Sequence, residues 1–122
     1  MKFTLNIDPG QLRVNSRYMI SGGRLVLSSR YRDAVEAARL QVRQACINGG
    51  WRTTAKPVRV MVITHWPTQR GDCDSTVKAV CDALQHGKAI ANDSQIVELV
   101  ARKSVDKQHP RLEVEMEELS DA

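Results

Sequence analysis

Hydrophobic and polar residues alternate along much of the chain with the two-residue period of β-strands. Strands are predicted over residues 2–7, 17–21, 24–28, 58–63, 95–103 and 111–117. Gly22 and Gly23 lie between the second and third of these segments, which predicts a hairpin or a glycine-tipped loop. The fourth segment is rich in β-branched residues and apolar on both faces except at Arg59, which is typical of a central strand.

Two other segments have the period of an α-helix. Apolar residues recur every three or four positions over residues 29–47, and Asn48, Gly49 and Gly50 then supply residues that tolerate left-handed backbone angles at a helix end. A second helix is predicted from Asp74 to near Gly87. Strands and helices do not alternate regularly, so we expect an α+β fold with a mixed, largely antiparallel sheet and two main helices, in a single domain of residues 1–122.

The charge of the chain is distributed unevenly. Residues 1–70 contain twelve Lys and Arg against three Asp and Glu, whereas residues 71–122 contain six against eleven. A basic half suits a polyanion such as nucleic acid, because phosphate contacts dominate the affinity of proteins for nucleic acids. A solvated basic face with no partner is the alternative interpretation.

The cysteines and the apolar segments indicate in which cellular compartment the protein is expected. Three cysteines without a Cys-x-x-Cys pair indicate neither a disulfide framework nor a zinc site, so we expect a reducing environment. The longest uncharged apolar stretches are far shorter than a membrane span, and the first ten residues lack the apolar segment of a secretion signal. We therefore expect a soluble, cytoplasmic protein with no membrane association.

The candidate chemistry lies in a short acidic motif. Residues 65–71 predict a polar loop that leads to Asp72, and Asp74 follows two positions later. Two such carboxylates project to the same side if the chain is extended, and a hard cation such as Mg²⁺ offsets their repulsion. Lys78 follows Asp74 by one helical turn, where its ammonium group could meet a phosphate.

Each of these residues also has an ordinary structural interpretation. An Asp at the start of a helix is often an N-cap, and Asp74 could serve only in that way. Lys78 could pair with Asp74 or with Asp82, since both lie four residues away. The motif D-x-D-x-x-x-K alone is therefore weak support for a metal site.

A longer string of residues is more specific. Residues 71–84 read G-D-C-D-S-T-V-K-A-V-C-D-A-L, and residues 92–97 read N-D-S-Q-I-V. Together they resemble the RusA family of Holliday junction resolvases, whose pattern is close to D-x-D-N-x-x-K-x-x-x-D-A-L followed by an acidic pair and S/A-Q-[I/V]. The segment V-N-S-R-Y at residues 14–18 is also similar to the N-terminal region of that family. The resemblance extends over nearly the whole chain.

The resemblance implies a Mg²⁺-dependent endonuclease, in which Mn²⁺ can substitute, acting as a homodimer that cuts four-way DNA junctions symmetrically. Asp72, Asp74 and Asp93 match the metal-binding acids of the family, and Lys78 matches its catalytic lysine. The residues that we expect to contact DNA are Asn15, Arg17, Tyr18, Arg24, Arg30, Arg32 and Arg70. Asn15 and Tyr18 could equally be turn and core residues.

Three positions depart from the family pattern and keep other hypotheses open. Ser75 stands where the family usually has Asn, Cys73 where an aliphatic residue is common, and Asn92 where a second Asp is common. The second hypothesis is accordingly a non-catalytic dimer that binds junctions and descends from such a nuclease. A third is a metal-dependent nuclease that prefers another DNA structure.

The remaining residues with potentially functional side chains are weaker candidates for a role in the site. His65 and Trp66, at the end of the predicted central strand, could touch DNA, although a partly buried structural role is the more frequent one. Cys73 is interpreted as a packing residue, and His86 and His109 as surface residues.

Overall fold

The computed structural model describes residues 1–14 and 17–120. Within these residues the chain forms two helices, α1 (Ser29–Gly49) and α2 (Val77–His86). Its strands are β1 (Lys2–Leu5), β2 (Tyr18–Ser21), β3 (Arg24–Leu27), β4 (Val58–Trp66), β5 (Ile96–Val105) and β6 (Arg111–Glu118). Short 3₁₀ turns occur at Pro9–Leu12 and Asp93–Gln95. The mixture of helices and strands confirms the predicted α+β class.

Four strands form the main sheet, in the order β1-β6-β4-β5. β6 is antiparallel to both β1 and β4, whereas β4 and β5 are parallel and are joined through α2. The sheet is therefore mixed and mostly antiparallel, as predicted. β2 and β3 form a separate antiparallel hairpin, in which Gly22 and Gly23 have φ angles of 60° and 77°. Only glycine adopts such angles readily, which explains the glycine pair at the turn.

One face of the main sheet carries the core. Alternate residues of β4 and β6 point to this face and are fully buried against the inner faces of α1 and α2. The side chains in this cluster include Ala38, Val42, Val58, Val60, Val62, Val80, Leu84, Leu112, Val114 and Met116. The opposite face of β4 is only half-buried, so β4 has the predicted central position but not two buried faces. No helix of the described residues is long and apolar enough to span a membrane.

The predicted signal is present at the C-terminal end of α1, and the N-terminal end has a cap that was not predicted. The Ser28 hydroxyl accepts a hydrogen bond from the Tyr31 N–H at 3.0 Å, which caps the first turn. Gly50 follows the last turn with a φ angle of 64°, the left-handed conformation expected of a glycine after a helix.

Several boundaries differ from the sequence-based prediction, and β5, for example, ends at Val105, two residues later than predicted. β1 ends at Leu5, two residues earlier than predicted. β4 continues to Trp66, so residues 65 and 66 belong to the strand and not to the following loop. The reason is that β4 pairs with β5 and β6 almost to its end, and the Trp66 side chain is buried there. α2 begins at Val77 and not at Asp74, because residues 74–76 form a turn.

Candidate functional site

The loop between β4 and α2 carries Asp72 and Asp74, and the buried Trp66 fixes its path. A Cβ atom at Gly71 would lie 2.0 Å from the Trp66 ring, so only glycine allows the chain to pass so close to the indole. The Trp66 Nε1–H also donates a hydrogen bond to the Asp72 carbonyl at 3.2 Å. Arg13 covers the same ring, with its guanidinium 4.8 Å from the ring centre. Trp66 thus supports the main chain at Asp72.

β5 holds the same loop from another side. The Lys103 ammonium donates hydrogen bonds to the Gln69 and Gly71 carbonyls, each at 3.0 Å. The Cys73 thiol donates to the Ala101 carbonyl at 3.0 Å, in agreement with a packing role for this cysteine. These contacts bind the main chain of the loop and leave the Asp72 and Asp74 side chains exposed.

The last residues before α2 are also held by hydrogen bonds. The Thr64 and Thr76 hydroxyl groups lie 2.9 Å apart in the core, and the Ser75 carbonyl accepts from the Val14 N–H at 2.8 Å. The Ser75 hydroxyl donates to the Asp72 carbonyl at 3.4 Å. Ser75 therefore supports the main chain of Asp72 and contacts neither carboxylate.

The structural interpretation of Asp74 as a helix N-cap is wrong. Thr76 occupies the N-cap position, and its side chain makes no capping hydrogen bond because its hydroxyl is engaged by Thr64. Asp74 contributes only its carbonyl, which accepts from the Val77 N–H at 3.2 Å. The carboxylate of Asp74 is thus not needed to begin the helix.

Asp93 is held by a capped 3₁₀ turn. The Asn92 side chain accepts from the Ser94 N–H at 2.8 Å, and the Gln95 side chain accepts from the Asn92 N–H at 2.7 Å, which is a capping box. Gln95 also donates to the Thr54 and Lys56 carbonyls. The structural role of Asn92 and Gln95 was missed in the sequence, although Asn-x-x-Gln is a recognisable capping signal.

The Asp93 N–H donates to the Gln85 side chain of α2 at 2.9 Å, which places Asp93 beside the C-terminal part of that helix. Asp74 precedes the first turn of α2. The charge of Asp93 also raises the pKa of Lys78 in the first turn of α2, so Asp93 lies alongside the helix and not only at its end.

Asp74, Lys78 and Asp93 line one surface hollow along α2. Val77, Cys81, Ile96 and Leu99 complete its lining, and Asp72 lies outside it. In residues 1–14 and 17–120, no three Asp, Glu, His or Cys side chains are arranged to hold a metal ion. Three of the four predicted active-site residues thus line one hollow, and Asp72 is not among the lining residues. The donor chemistry of the hollow still fits Mg²⁺, which binds carboxylate oxygens and often uses only one or two of them.

Lys78 pairs with Asp82 and not with Asp74. The Lys78 ammonium lies 3.1 Å from a carboxylate oxygen of Asp82 on the next turn of α2. This hydrogen bond is the main cause of a raised pKa for Lys78, and the charges of Asp82 and Asp93 add to it. The side chain is consequently a cation at neutral pH, with a carboxylate on one side of it.

Cys81 lies in the same hollow but is not a nucleophile at neutral pH. Burial, together with the charges of Asp82 and Asp93, raises the pKa of its thiol to about 11. The thiolate is the reactive form of cysteine, so this thiol is inert under ordinary conditions. The hollow therefore offers carboxylates and one ammonium group as its chemical functions.

Most of the residues expected to contact DNA are exposed on the N-terminal hairpin and on α1. Arg24 begins β3, and Arg30 and Arg32 lie in the first turn of α1. The guanidinium group of Arg17 lies 4.7 Å from the centre of the Tyr18 ring, and Tyr18 itself is about half exposed.

Two further residues of this set lie elsewhere. Arg70 is exposed in the acidic loop. Asn15 lies outside the described residues. The hydrogen bond between the Val14 N–H and the Ser75 carbonyl ties the segment that leads to the hairpin to the acidic loop.

The three histidines take no part in the hollow. His65 points to the opposite face of the sheet, where its Nε2 lies 3.4 Å from a Glu113 carboxylate oxygen. His86 and His109 are exposed, as predicted.

An acidic hollow with one lysine, close enough to Arg17 for the two charges to interact, suits a protein that acts on the phosphates of nucleic acid. The family model described as Endodeoxyribonuclease RusA matches residues 9–117, nearly the whole of the chain. The chain therefore belongs to the RusA endodeoxyribonuclease family. A comparison with curated proteins gives no match.

Proposed function

We propose that the chain is a Mg²⁺-dependent endodeoxyribonuclease that resolves Holliday junctions by paired symmetrical nicks in recombination and repair. The observation that carries the proposal is the hollow shared by Asp74, Lys78 and Asp93. All three residues lie inside the region that matches the nuclease family. Carboxylates that can bind a cation, beside an ammonium that can bind a phosphate, are what phosphodiester hydrolysis requires.

Asp72, Asp74 and Asp93 are the residues that would hold the ion. Asp74 and Asp93 border the hollow, and the exposed Asp72 side chain is two residues from Asp74. When bound, a divalent cation supplies a water molecule activated at neutral pH and positive charge near the phosphate. Mn²⁺ accepts the same oxygen ligands and can substitute.

Lys78 has the role of a fixed positive charge. Its raised pKa keeps it protonated at neutral pH, and its ammonium group can donate hydrogen bonds to phosphate oxygens. About half of the side chain is exposed to solvent, so a phosphate can reach it without a rearrangement of the core. In the proposed reaction Lys78 binds the scissile phosphate and stabilises the charge that develops there.

The N-terminal hairpin and its neighbours supply the contacts to DNA. Residues 9–32 contain five Arg and no Asp or Glu, so this stretch is strongly basic. Phosphate contacts from such residues position DNA and carry little sequence information. The proposed contact residues are Arg17, Tyr18, Arg24, Arg30, Arg32 and Arg70, with Asn15 from the region outside the described residues.

A homodimer would provide the two active sites that paired nicks require. Apolar side chains are available for an interface, since Ile20 and Leu25 on the hairpin are 75% and 70% exposed. Val97 and Leu99 on the edge strand β5 are also exposed. Exposed apolar patches on soluble proteins often mark interaction sites. We also place the protein in the cytoplasm, where its three free cysteines stay reduced.

A junction-cleavage assay tests this function. Purified protein is incubated with a synthetic four-way junction, and Mg²⁺ is varied. We expect symmetrical nicks in two opposite strands that depend on the metal. Asp74→Asn should abolish cleavage while junction binding is kept, because the amide loses the charge that holds the cation.

Glu115→Gln is the matched control, since it removes one carboxylate from the opposite face of the sheet and should cleave normally. Binding without any nicks in the wild-type protein would contradict the enzymatic proposal. If Asp74→Asn also lost junction binding while remaining folded, Asp74 would have a structural role instead.

A non-catalytic junction-binding dimer is the second candidate. The observation that favours it is that no three acidic or metal-ligating side chains converge within the described ranges, with Asp72 outside the hollow. Calorimetric titration with Mn²⁺ separates the two candidates, because a non-catalytic protein should show no uptake that depends on Asp74. Competition among junction, flap and plain duplex tests the third possibility, a nuclease with another preferred DNA structure.

A further inference from the structure

Two acidic residues close to Lys78 in the sequence could form an ion pair with it. Asp74 lies four residues before it and Asp82 four residues after it. On a regular helix an acid that precedes the lysine is the better partner, because helical side chains point back toward the N-terminus. The structure nevertheless pairs Lys78 with Asp82 at 3.1 Å.

The position at which α2 begins explains why Lys78 pairs with Asp82. The helix begins at Val77, so Asp74 lies in the preceding turn and is not one helical turn below Lys78. Asp82 is within the helix and its side chain is less exposed than that of Lys78, at 29% against 51%. The ammonium group is consequently drawn toward the C-terminal half of α2.

The charge of Asp82 also reaches α1. The charges of Asp82 and Lys78 act in opposite directions on the pKa of the buried Tyr31 hydroxyl of α1. Lys78 lines the hollow that holds Asp74 and Asp93, whereas its partner Asp82 is not among the lining residues.

We propose that Asp82 is a positioning residue that keeps the Lys78 ammonium away from Asp74 and Asp93, so that both carboxylates remain available to a cation. The inference rests on the proposed function, since it concerns the same metal site. It assigns to Asp82 an effect on metal binding although Asp82 is not one of the proposed ligands.

The physical reason is competition between two cations. A lysine beside carboxylates that bind no metal forms an ion pair with them, and an incoming metal must then displace it. Holding Lys78 on Asp82 removes this competitor. It also keeps the ammonium in one place, where it can meet the phosphate once DNA is bound.

A double-mutant cycle on metal affinity tests the proposal. Mn²⁺ is titrated calorimetrically into the wild-type protein, Asp82→Asn, Lys78→Met and the double variant. Asp82→Asn should weaken Mn²⁺ binding by about fivefold when Lys78 is present and by less than about twofold when it is absent, a coupling of the size found between contacting residues. Asp82→Glu keeps the pair and should bind Mn²⁺ within about twofold of the wild-type protein.

Two results would overturn the proposal. If the charge of Asp82 acted only through space, Asp82→Asn would weaken Mn²⁺ binding equally in the presence and in the absence of Lys78. If Asp82 were merely structural, Asp82→Asn would lower the thermal stability and show no coupling to Lys78. The exposed pair contributes little to stability, so Asp82→Asn should unfold within a few degrees of the wild-type protein.

The steady-state kinetics of junction cleavage give a second test of the positioning role. Asp82→Asn should lower kcat for junction cleavage with little change in KM, and Asp82→Glu should recover most of the loss. Equal kcat values for the wild-type protein and Asp82→Asn would also contradict the positioning role. If the wild-type protein shows no Mn²⁺ uptake that depends on Asp74, the proposed function fails as well. If uptake occurs without coupling, only the role of Asp82 is wrong.

Discussion

Replacing Gly71 with alanine tests whether the buried Trp66 holds the acidic loop in place. The added Cβ atom would lie 2.0 Å from the indole ring, well inside contact distance, so the loop or the ring must move. Such overpacking costs about 1–3 kcal/mol of unfolding free energy. For a chain of 122 residues this lowers the melting temperature by about 3–15 °C.

Gly71→Ala should also slow catalysis while the protein remains folded. The Gly71 and Asp72 carbonyls are both hydrogen-bonded, to Lys103 and Trp66, so a shift of the loop displaces the acids. A displacement of about 1 Å can cost about a hundredfold in rate. Cleavage should therefore fall by roughly this factor at a temperature where the variant is still folded.

Thermal unfolding and junction cleavage measured on the same samples check this prediction. Gly49→Ala is the matched control, because its Cβ atom would meet only Met1, at 3.8 Å, and should leave both properties nearly unchanged. A Gly71→Ala protein with wild-type stability and activity would refute the reasoning.

Three further predictions concern other parts of the molecule. Gln95→Ala removes hydrogen bonds to Asn92, Thr54 and Lys56 and should lower the unfolding free energy in urea by about 2 kcal/mol. Because the Cys81 pKa rises from 9.0 to about 11 on folding, its stabilising effect is complete below pH 9 and is lost toward pH 11. Urea unfolding should accordingly show a steeper loss over this range in the wild-type protein than in Cys81→Ala. Arg24→Ala should weaken junction binding and reduce its dependence on salt by about one unit of slope, measured by anisotropy.

The sequence predicted the class of the fold well because its strands and helices follow clear periods. α1 shows both an apolar stripe and a glycine at its end, and the hairpin shows a glycine pair. The end of β4 was not predictable in this way, since Pro67 and the polar residues after it are typical of a loop that could begin before them. Pairing with β5 and β6 and the burial of Trp66 extend the strand, and these are tertiary effects.

The candidate site was predictable as a set of residues but not as a geometry. The spacing of Asp72 and Asp74 suggested two carboxylates that converge, whereas only Asp74 borders the hollow. The position of Asp93 depends on Gln85 and on the capped turn at Asn92, which involve contacts distant in sequence. The partner of Lys78 depends on where α2 begins, and a buried hydrogen bond between two threonines influences that boundary.

Metal-dependent cleavage of a four-way junction, mapped to the nucleotide on all four strands, tests the central claim most directly. The wild-type protein should produce nicks at symmetrical positions in two opposite strands with Mg²⁺ or Mn²⁺ and none with a chelator. Asp93→Asn should bind the junction and leave it intact. Cleavage that persists without a divalent metal, or that is unchanged in Asp93→Asn, would contradict the account.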